Sequence, residues 1–93
     1  MAGTLKSKKY ILYLFVAGAT MRSAQAINGV KRVCAEYLKN NYELTVIDIY
    51  QQPELARREQ IIAVPTLVRK RPDPLRRFIG NLMDSEHILS GLK

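Results

Sequence analysis

The sequence predicts an α/β fold of order βαβαββα, built around a four-stranded mixed sheet. Three observations predict it. An apolar run near the N-terminus is followed by a segment of helical spacing and then by a second strand-like run, which is the pattern of a βαβ unit. Early in the second half of the chain, Pro53 stands at a position typical of the first residue of a helix. Two short strand-like runs separated by prolines, and then a last helical segment, complete the order.

Length and composition are typical of one small globular domain. The chain has 93 residues, of which 47% are hydrophobic and 25% charged. We therefore expect a single domain over residues 1–93, with residues 1–9 as a flexible N-terminus that is not a signal peptide. The longest apolar run, residues 10–17, is shorter than the roughly 18 residues that a membrane helix needs. The single cysteine, Cys34, allows no internal disulfide and indicates a cytoplasmic setting.

The first half of the chain predicts a strand, a helix and a strand. Residues 10–17, YILYLFVA, are continuously apolar, as in a central strand buried on both faces. Gly18 ends that strand, and Thr20 is a good N-cap for a helix over residues 21–39. Residues 44–50, LTVIDIY, alternate in part and predict the second strand. The helix carries apolar side chains at helical spacing: Ile27, Val30, Cys34, Tyr37 and Leu38.

The second half opens on a predicted helix over residues 53–62. Pro53 suits the first helical position, and Glu54 in the first turn complements the helix dipole. The apolar side chains of this helix are expected to face the core: Leu55, Ile61 and Ile62. Its longer polar side chains are expected to face outward or sideways: Arg57, Arg58 and Gln60.

A β-hairpin and a last helix are predicted for the C-terminal third. Residues 66–70 and 75–79 predict two short strands, joined by the loop RPDP at residues 71–74. Asp84 is placed to cap a helix over residues 85–92.

This element order, with Pro65 directly before the third strand, is the thioredoxin-like arrangement. There the proline is cis and faces the start of the first helix, so we expect a cis Val64–Pro65 peptide near Gly18. A trans proline without a functional role is the alternative, because only about 5% of X-Pro bonds are cis. The order of the elements favours the cis bond.

The residues that redox or metal chemistry would need are missing from the sequence. A thioredoxin-like active site needs two cysteines at the start of the first helix, where the dipole lowers a thiol pKa. That stretch is AGATMRSAQ, without cysteine. Cys34 is expected to be a small buried apolar residue, and His87 an exposed helix residue without a metal. The sequence therefore predicts no catalytic residue, no cofactor and no enzyme.

The positive charge makes nucleic-acid binding an alternative function. The net charge of +7 favours acidic partners, and basic residues cluster on the predicted hairpin and the N-terminus. They are Arg69, Lys70, Arg71, Arg76 and Arg77, with Lys6, Lys8 and Lys9. Exposed aromatic residues between them are lacking, because Phe78 is expected to face inward. A solvated or partner-facing hairpin is favoured, and nucleic acid is an unlikely partner.

Four segments of the chain resemble the KaiB family of circadian clock proteins. They are Val16-Ala17-Gly18, Val46-Ile47-Asp48, the Pro53 helix running into Ala63-Val64-Pro65-Thr66-Leu67, and Arg76-Arg77 followed by Ile79-Gly80. The resemblance covers about residues 10–92. The KaiB-like sensor domain of the SasA histidine kinase is the related alternative.

The resemblance implies a regulator that is not an enzyme. It implies a thioredoxin-like form that binds a KaiC-like ATPase hexamer and modulates its phosphorylation or ATPase cycle. KaiA or a histidine kinase is implied as a further partner. It also implies fold switching, in which the C-terminal half from Gln51 onward adopts a second, tetrameric ground-state fold; a dimer is the other oligomer expected. Mixed prolines, β-branched residues and arginines in residues 61–80 suit such a switch.

The resemblance also implies which residues matter. The expected partner surface is the second helix with its flanks: Gln52, Glu54, Leu55, Arg57, Arg58 and Gln60. A merely solvated face is the alternative for Arg57 and Arg58. The positions expected to determine the fold are Gly18, Pro65, Pro72, Pro74 and Gly80.

Several positions depart from the family pattern. The loop after the first strand, at residues 19–23, lacks its usual Asn-Thr-Pro-Asn-Ser sequence, and Arg57 and Arg58 replace acidic residues. We therefore expect a divergent member with its own KaiC-like ATPase, present mainly in the thioredoxin-like form.

Overall fold

The computed structural model describes residues 9–80, 82 and 84–92. The predicted flexible N-terminus, with Lys6 and Lys8, lies outside these residues except for Lys9. The elements are β1 (Tyr10–Val16), α1 (Met21–Val33) continued by a π-helical segment (Cys34–Leu38), β2 (Tyr42–Asp48), α2 (Pro53–Arg58), β3 (Thr66–Arg71), β4 (Arg76–Ile79) and α3 (Ser85–Leu92). The predicted order βαβαββα is confirmed.

The four strands form one mixed sheet in the order β2-β1-β3-β4. β1 pairs in parallel with β2, so that Leu14 lies opposite Val46. On its other side β1 pairs antiparallel with β3, where Leu14 lies opposite Leu67. β3 and β4 form the predicted hairpin, with Thr66 opposite Ile79. The predicted four-stranded mixed sheet is confirmed.

β1 is buried on both faces, as its continuous apolar sequence predicts. Leu12, Leu14 and Val16 pack against α1 and α3, in the larger of two clusters of buried residues. Phe15 points to the opposite face and packs with Ile47 beneath α2. Alternation along a strand places successive side chains on opposite faces, so a central strand needs apolar residues at every position.

Both predicted N-caps are present. The Thr20 hydroxyl oxygen accepts the backbone N–H of Ser23 at 3.1 Å, at the start of α1. The Asp84 carboxylate accepts the backbone N–H of Glu86 at 3.0 Å, at the start of α3. Each cap satisfies a donor that the first turn of a helix leaves without an intrahelical partner.

The C-terminal end of the first helix differs from the prediction. The α-helix ends at Val33, and residues 34–38 continue it as a π-helix, in which the N–H of Lys39 bonds the Cys34 carbonyl at 2.9 Å. This spacing widens the turn and changes the angular positions of its side chains, although Leu38 still packs against the core. Tyr37 is 53% exposed, so the apolar face that its helical spacing predicts does not include it.

The second helix is shorter than predicted, because it ends at Arg58 and not at Ile62. Gln60 has a φ of +58°, a left-handed conformation that a helix cannot continue through. Ile62 is 91% exposed, so its predicted core position was wrong. Leu55 and Ile61 do pack on the cluster beneath α2.

Strand ends shift by one or two residues from their predicted places. β2 runs from Tyr42 to Asp48 and not over residues 44–50, while β3 ends at Arg71 and β4 begins at Arg76. Across the part of the chain that the structure describes, no helix has the length and apolarity needed to cross a bilayer.

Candidate functional site

The start of α1 and the Pro65 corner meet at one end of the sheet. The Val64–Pro65 peptide is cis, as predicted, and so are the Arg71–Pro72 and Asp73–Pro74 peptides. A cavity of about 480 Å³ joins Gly18 and Pro65 across the loop that precedes α1. The predicted proximity of Pro65 to the first helix is confirmed.

Asp48 holds the loops at this corner together. Its Oδ1 accepts the backbone N–H of Gly18 at 3.1 Å and that of Tyr50 at 2.9 Å. Gly18 has a φ of +68° and Gly80 a φ of +121°, conformations that residues with a side chain rarely adopt. One carboxylate therefore fixes the ends of β1 and β2 relative to each other.

The only cysteine lies far from this corner. Cys34 is fully buried among the side chains between α1, α3 and the sheet, and burial raises the pKa of its thiol to about 11. A thiol that is protonated at neutral pH is a poor nucleophile and a poor metal ligand. The prediction of a buried apolar role for Cys34 is confirmed.

We expect the burial of Cys34 to make stability fall with rising pH above pH 9. The thiol pKa is about 11 in the folded chain against 9.0 for an exposed thiol, so the folded state binds more protons between these values. The loss amounts to about 2 to 3 kcal/mol by pH 11, whereas below pH 9 the effect is absent. Urea unfolding of the wild type and of Cys34→Ala, from pH 8 to 11, would measure it; parallel pH profiles would contradict it.

No metal site is found among residues 9–80, 82 and 84–92, where no three acidic, histidine or cysteine side chains converge. His87 is exposed, as predicted, and its Nε2 lies 3.4 Å from the Ile79 carbonyl oxygen. Its ring lies edge-on to Phe78, with the centroids 6.3 Å apart. This histidine therefore contacts the β4 hairpin strand.

The residues predicted as the partner surface lie on α2 and its two flanks, and we call them the α2 surface: Gln52, Glu54, Leu55, Arg57, Arg58 and Gln60. All are exposed except Leu55, which is half-buried against the core. Arg57 is paired with Glu54 at 2.7 Å, within the helix. Arg58 has no ion pair among the described residues and lines a cavity of about 430 Å³ with Pro53. Arg58 is therefore the free cation of this surface.

Glu59 connects the end of α2 to the β3–β4 hairpin through two contacts. The sequence did not indicate this role for Glu59. Its carboxylate pairs with Lys70 on β3 at 2.7 Å, and its carbonyl accepts a hydrogen bond from Arg77 on β4 at 3.0 Å. No local pattern marks Glu59, because both partners lie more than ten residues away. Lys70 also lies over the Tyr13 ring, 5.5 Å from its centroid.

Arg69 and Lys70, two residues of the predicted basic cluster, lie on opposite faces of the sheet. Arg69 is only 4% exposed, so its predicted place in an exposed cationic stripe was wrong. Its guanidinium donates to the carbonyl of Leu92 at 3.2 Å and to that of Pro74 at 2.8 Å. Alternation along β3 places Arg69 on the face covered by α3, whose last carbonyls attract a cation. Arg71 is paired with Asp73 on the surface.

Known structures share this fold at low sequence identity. The N-terminal domain of SasA from Synechococcus elongatus matches with a TM-score of 0.76 and 23% identity, over 91% of this chain and 80% of that one. The germline-specific thioredoxin Deadhead from Drosophila melanogaster matches with a TM-score of 0.73 and 21% identity, over 98% and 84%. These similarities confirm the thioredoxin-like fold.

Sequence relatives identify the family. The sequence model of the KaiB domain matches residues 13–93. A circadian clock oscillator protein KaiB from Prochlorococcus marinus subsp. pastoris is 47% identical over 85 residues, which cover 91% of this chain and 79% of the relative. One from a Picosynechococcus species is 43% identical over 88 residues, which cover 95% and 85%. On this evidence the chain belongs to the KaiB family, as its four characteristic segments predict.

Proposed function

We propose that the chain is a non-enzymatic clock regulator that docks through the α2 surface on a KaiC-like ATPase ring and modulates its phosphorylation or ATPase cycle. The observation that carries the proposal is the 47% identity, over 85 residues, with a circadian clock oscillator protein KaiB. The family assignment also supports the prediction that the chain is not an enzyme.

The charge of the α2 surface favours an acidic face on the partner. Arg58 has no ion pair among the described residues, whereas the charge of Arg57 is offset by Glu54. Arginine is enriched in protein interfaces, because its planar group makes several hydrogen bonds to one carboxylate. Arg58 is therefore the side chain expected to contribute most, with Arg57 as its neighbour.

The double variant Arg57→Glu/Arg58→Glu should bind the ATPase at least about tenfold more weakly, which is about 1.4 kcal/mol. Both side chains are exposed, so circular dichroism and the thermal midpoint should stay close to those of the wild type. The measurement is biolayer interferometry with an ATP-loaded KaiC-like hexamer.

The matched control is Lys31→Glu/Lys39→Glu, which changes the net charge by the same amount at exposed sites away from α2. It should bind nearly as the wild type does. Equal losses in both double variants would mean that overall charge, and not the α2 surface, drives association. Unchanged affinity in the α2 variant would place the interface elsewhere.

We propose that the thioredoxin-like form is the state that binds the ATPase, with KaiA or a histidine kinase as the further partner. The match to the SasA domain supports the thioredoxin-like fold of that state. Fold switching to a tetramer stays a prediction from the family resemblance, as does a dimer. Nucleic-acid binding loses support, because Arg69 is buried and Lys70 is held by Glu59.

A further inference from the structure

A groove runs from the Pro65 corner along α1, on a different part of the molecule from the α2 surface. It consists of three adjoining cavities of about 480, 590 and 170 Å³. The first two share Arg22 and Pro65, and the second and third share Gln25. The third cavity extends along α1 to Arg32. We call this continuous depression the α1 groove.

Exposed apolar side chains border the corner end of the α1 groove. Met21 is 77% exposed and Tyr50 is 74% exposed, and both contribute to its lining. Large apolar side chains exposed beside a concavity are typical of binding surfaces. This end of the groove can therefore receive an apolar side chain of a partner.

The charge of the α1 groove has one sign. The lining contains two cations, Arg22 and Arg32, and none of the described residues that line the three cavities is acidic. The four salt bridges among the described residues engage other cations. Neither arginine is compensated within the described chain, so a ligand that brings carboxylates would complement both.

The spacing of the two arginines sets the spacing of those carboxylates. Arg22 and Arg32 are ten residues apart along one helical run, which corresponds to about 15 Å at 1.5 Å per residue. An extended chain rises about 3.3 Å per residue and its side chains alternate between two faces, so two side chains four residues apart share a face and lie about 13 Å from each other, which long arginine side chains can match. A groove of this length, lined along one helix, fits an extended segment better than it fits a globular face.

We propose that the α1 groove binds an extended acidic segment of a partner protein, with an apolar side chain at the Pro65 corner and two carboxylates four residues apart on Arg22 and Arg32. The segment would be bound independently of the ATPase on the α2 surface. A second copy of this chain and a nucleic-acid strand are the other occupants that the experiment distinguishes.

Selection of phage-displayed random dodecapeptides on the immobilised full chain tests the proposal. We expect enrichment of peptides with two acidic residues four positions apart and a large apolar residue beside them. The best of them, made synthetically with a fluorescein label, should bind Arg22→Glu/Arg32→Glu at least about tenfold more weakly in fluorescence anisotropy. Tyr50→Ser should also weaken binding, although it leaves the net charge unchanged.

Two control variants carry equal charge changes. Neither lysine of Lys31→Glu/Lys39→Glu lines the groove, and Arg57→Glu/Arg58→Glu lies on the α2 surface. Both should keep the affinity of the peptide. ATPase binding is measured with a different ligand, the KaiC-like hexamer. A variant that loses peptide binding but keeps ATPase binding, or the reverse, therefore tests this proposal separately from the proposed function.

Three results would overturn the proposal. The first is a selection without enrichment of acidic peptides, or equal peptide affinity in the groove variant and the Lys31→Glu/Lys39→Glu control. The second is that a labelled single-stranded oligonucleotide binds the wild type more tightly than the peptides do, that Arg22→Glu/Arg32→Glu abolishes this binding, and that the peptides do not displace the oligonucleotide. That result would assign the groove to nucleic acid. The third is a sedimentation-equilibrium dimer that the groove variant dissociates, which would assign it to a second copy.

Discussion

Leu14→Ala is expected to lower the free energy of unfolding by about 3 to 5 kcal/mol, the range for emptying a fully buried leucine site. Leu14 is 0% exposed on the central strand and packs with the buried side chains of α1 and α3. Neighbours on both sides of β1 are held by their own strands, so the cavity cannot collapse completely. Urea unfolding followed by circular dichroism measures the change.

Val46→Ala is the control for this prediction. Val46 lies opposite Leu14 on β2, but β2 is an edge strand and Val46 is 36% exposed. Val46→Ala removes two side-chain carbons, against three in Leu14→Ala, and should cost less than about 1.5 kcal/mol, because solvent already contacts the side chain. Equal costs at the two positions would show that β1 is not the central strand of the folded chain.

Asp48→Ala should lower the free energy of unfolding by about 1 to 3 kcal/mol. It removes the acceptor of two backbone N–H groups, those of Gly18 and Tyr50, of which the first is half-buried. A donor left without a partner loses the hydrogen bond and is not fully rehydrated. Hydrogen exchange at these two amides should accelerate more than exchange in the centre of β1.

Asp48→Asn separates the hydrogen bonds from the charge. The amide oxygen can accept the same two N–H groups, so we expect less than half of the loss seen with alanine. Glu43→Ala, which removes only the exposed ion pair with Lys9 at the other end of β2, should cost about 0.2 to 1 kcal/mol. Similar costs for Asp48→Ala and Glu43→Ala would contradict the role assigned to Asp48.

Elements with strong local signals were predicted well. The continuous apolar run of β1, the cap at Thr20, the cap at Asp84 and the proline at the start of α2 each act over a few residues. Their hydrogen bonds and periodicity can therefore be read from neighbouring positions. The α2 surface is also contiguous in sequence, which is why the exposure of Arg57 and Arg58 could be predicted from the helix alone.

Errors occurred where an irregular backbone or a contact with another element, and not the spacing of apolar residues, places a side chain. Tyr37 follows helical spacing, but a π-helical segment turns it outward. Ile62 follows a helix that ends earlier, at a left-handed Gln60. Arg69 belongs to a basic run in sequence, yet it is buried beneath the end of α3, 23 residues away. Local propensity cannot indicate a contact whose partner lies on another element.

The sequence by itself determined the order of the elements, the absence of thiols at the start of α1, the excess of positive charge and the resemblance to the KaiB family. Each of these depends on residue identity or on spacing within one segment. Only the tertiary structure decided which cations are free for a partner. It buries Arg69 and pairs Lys70 with Glu59, and it leaves Arg22 beside a proline 43 positions further along the chain. The physical reason is that burial and ion pairing depend on which elements the sheet brings together, and sequence distance does not measure that proximity.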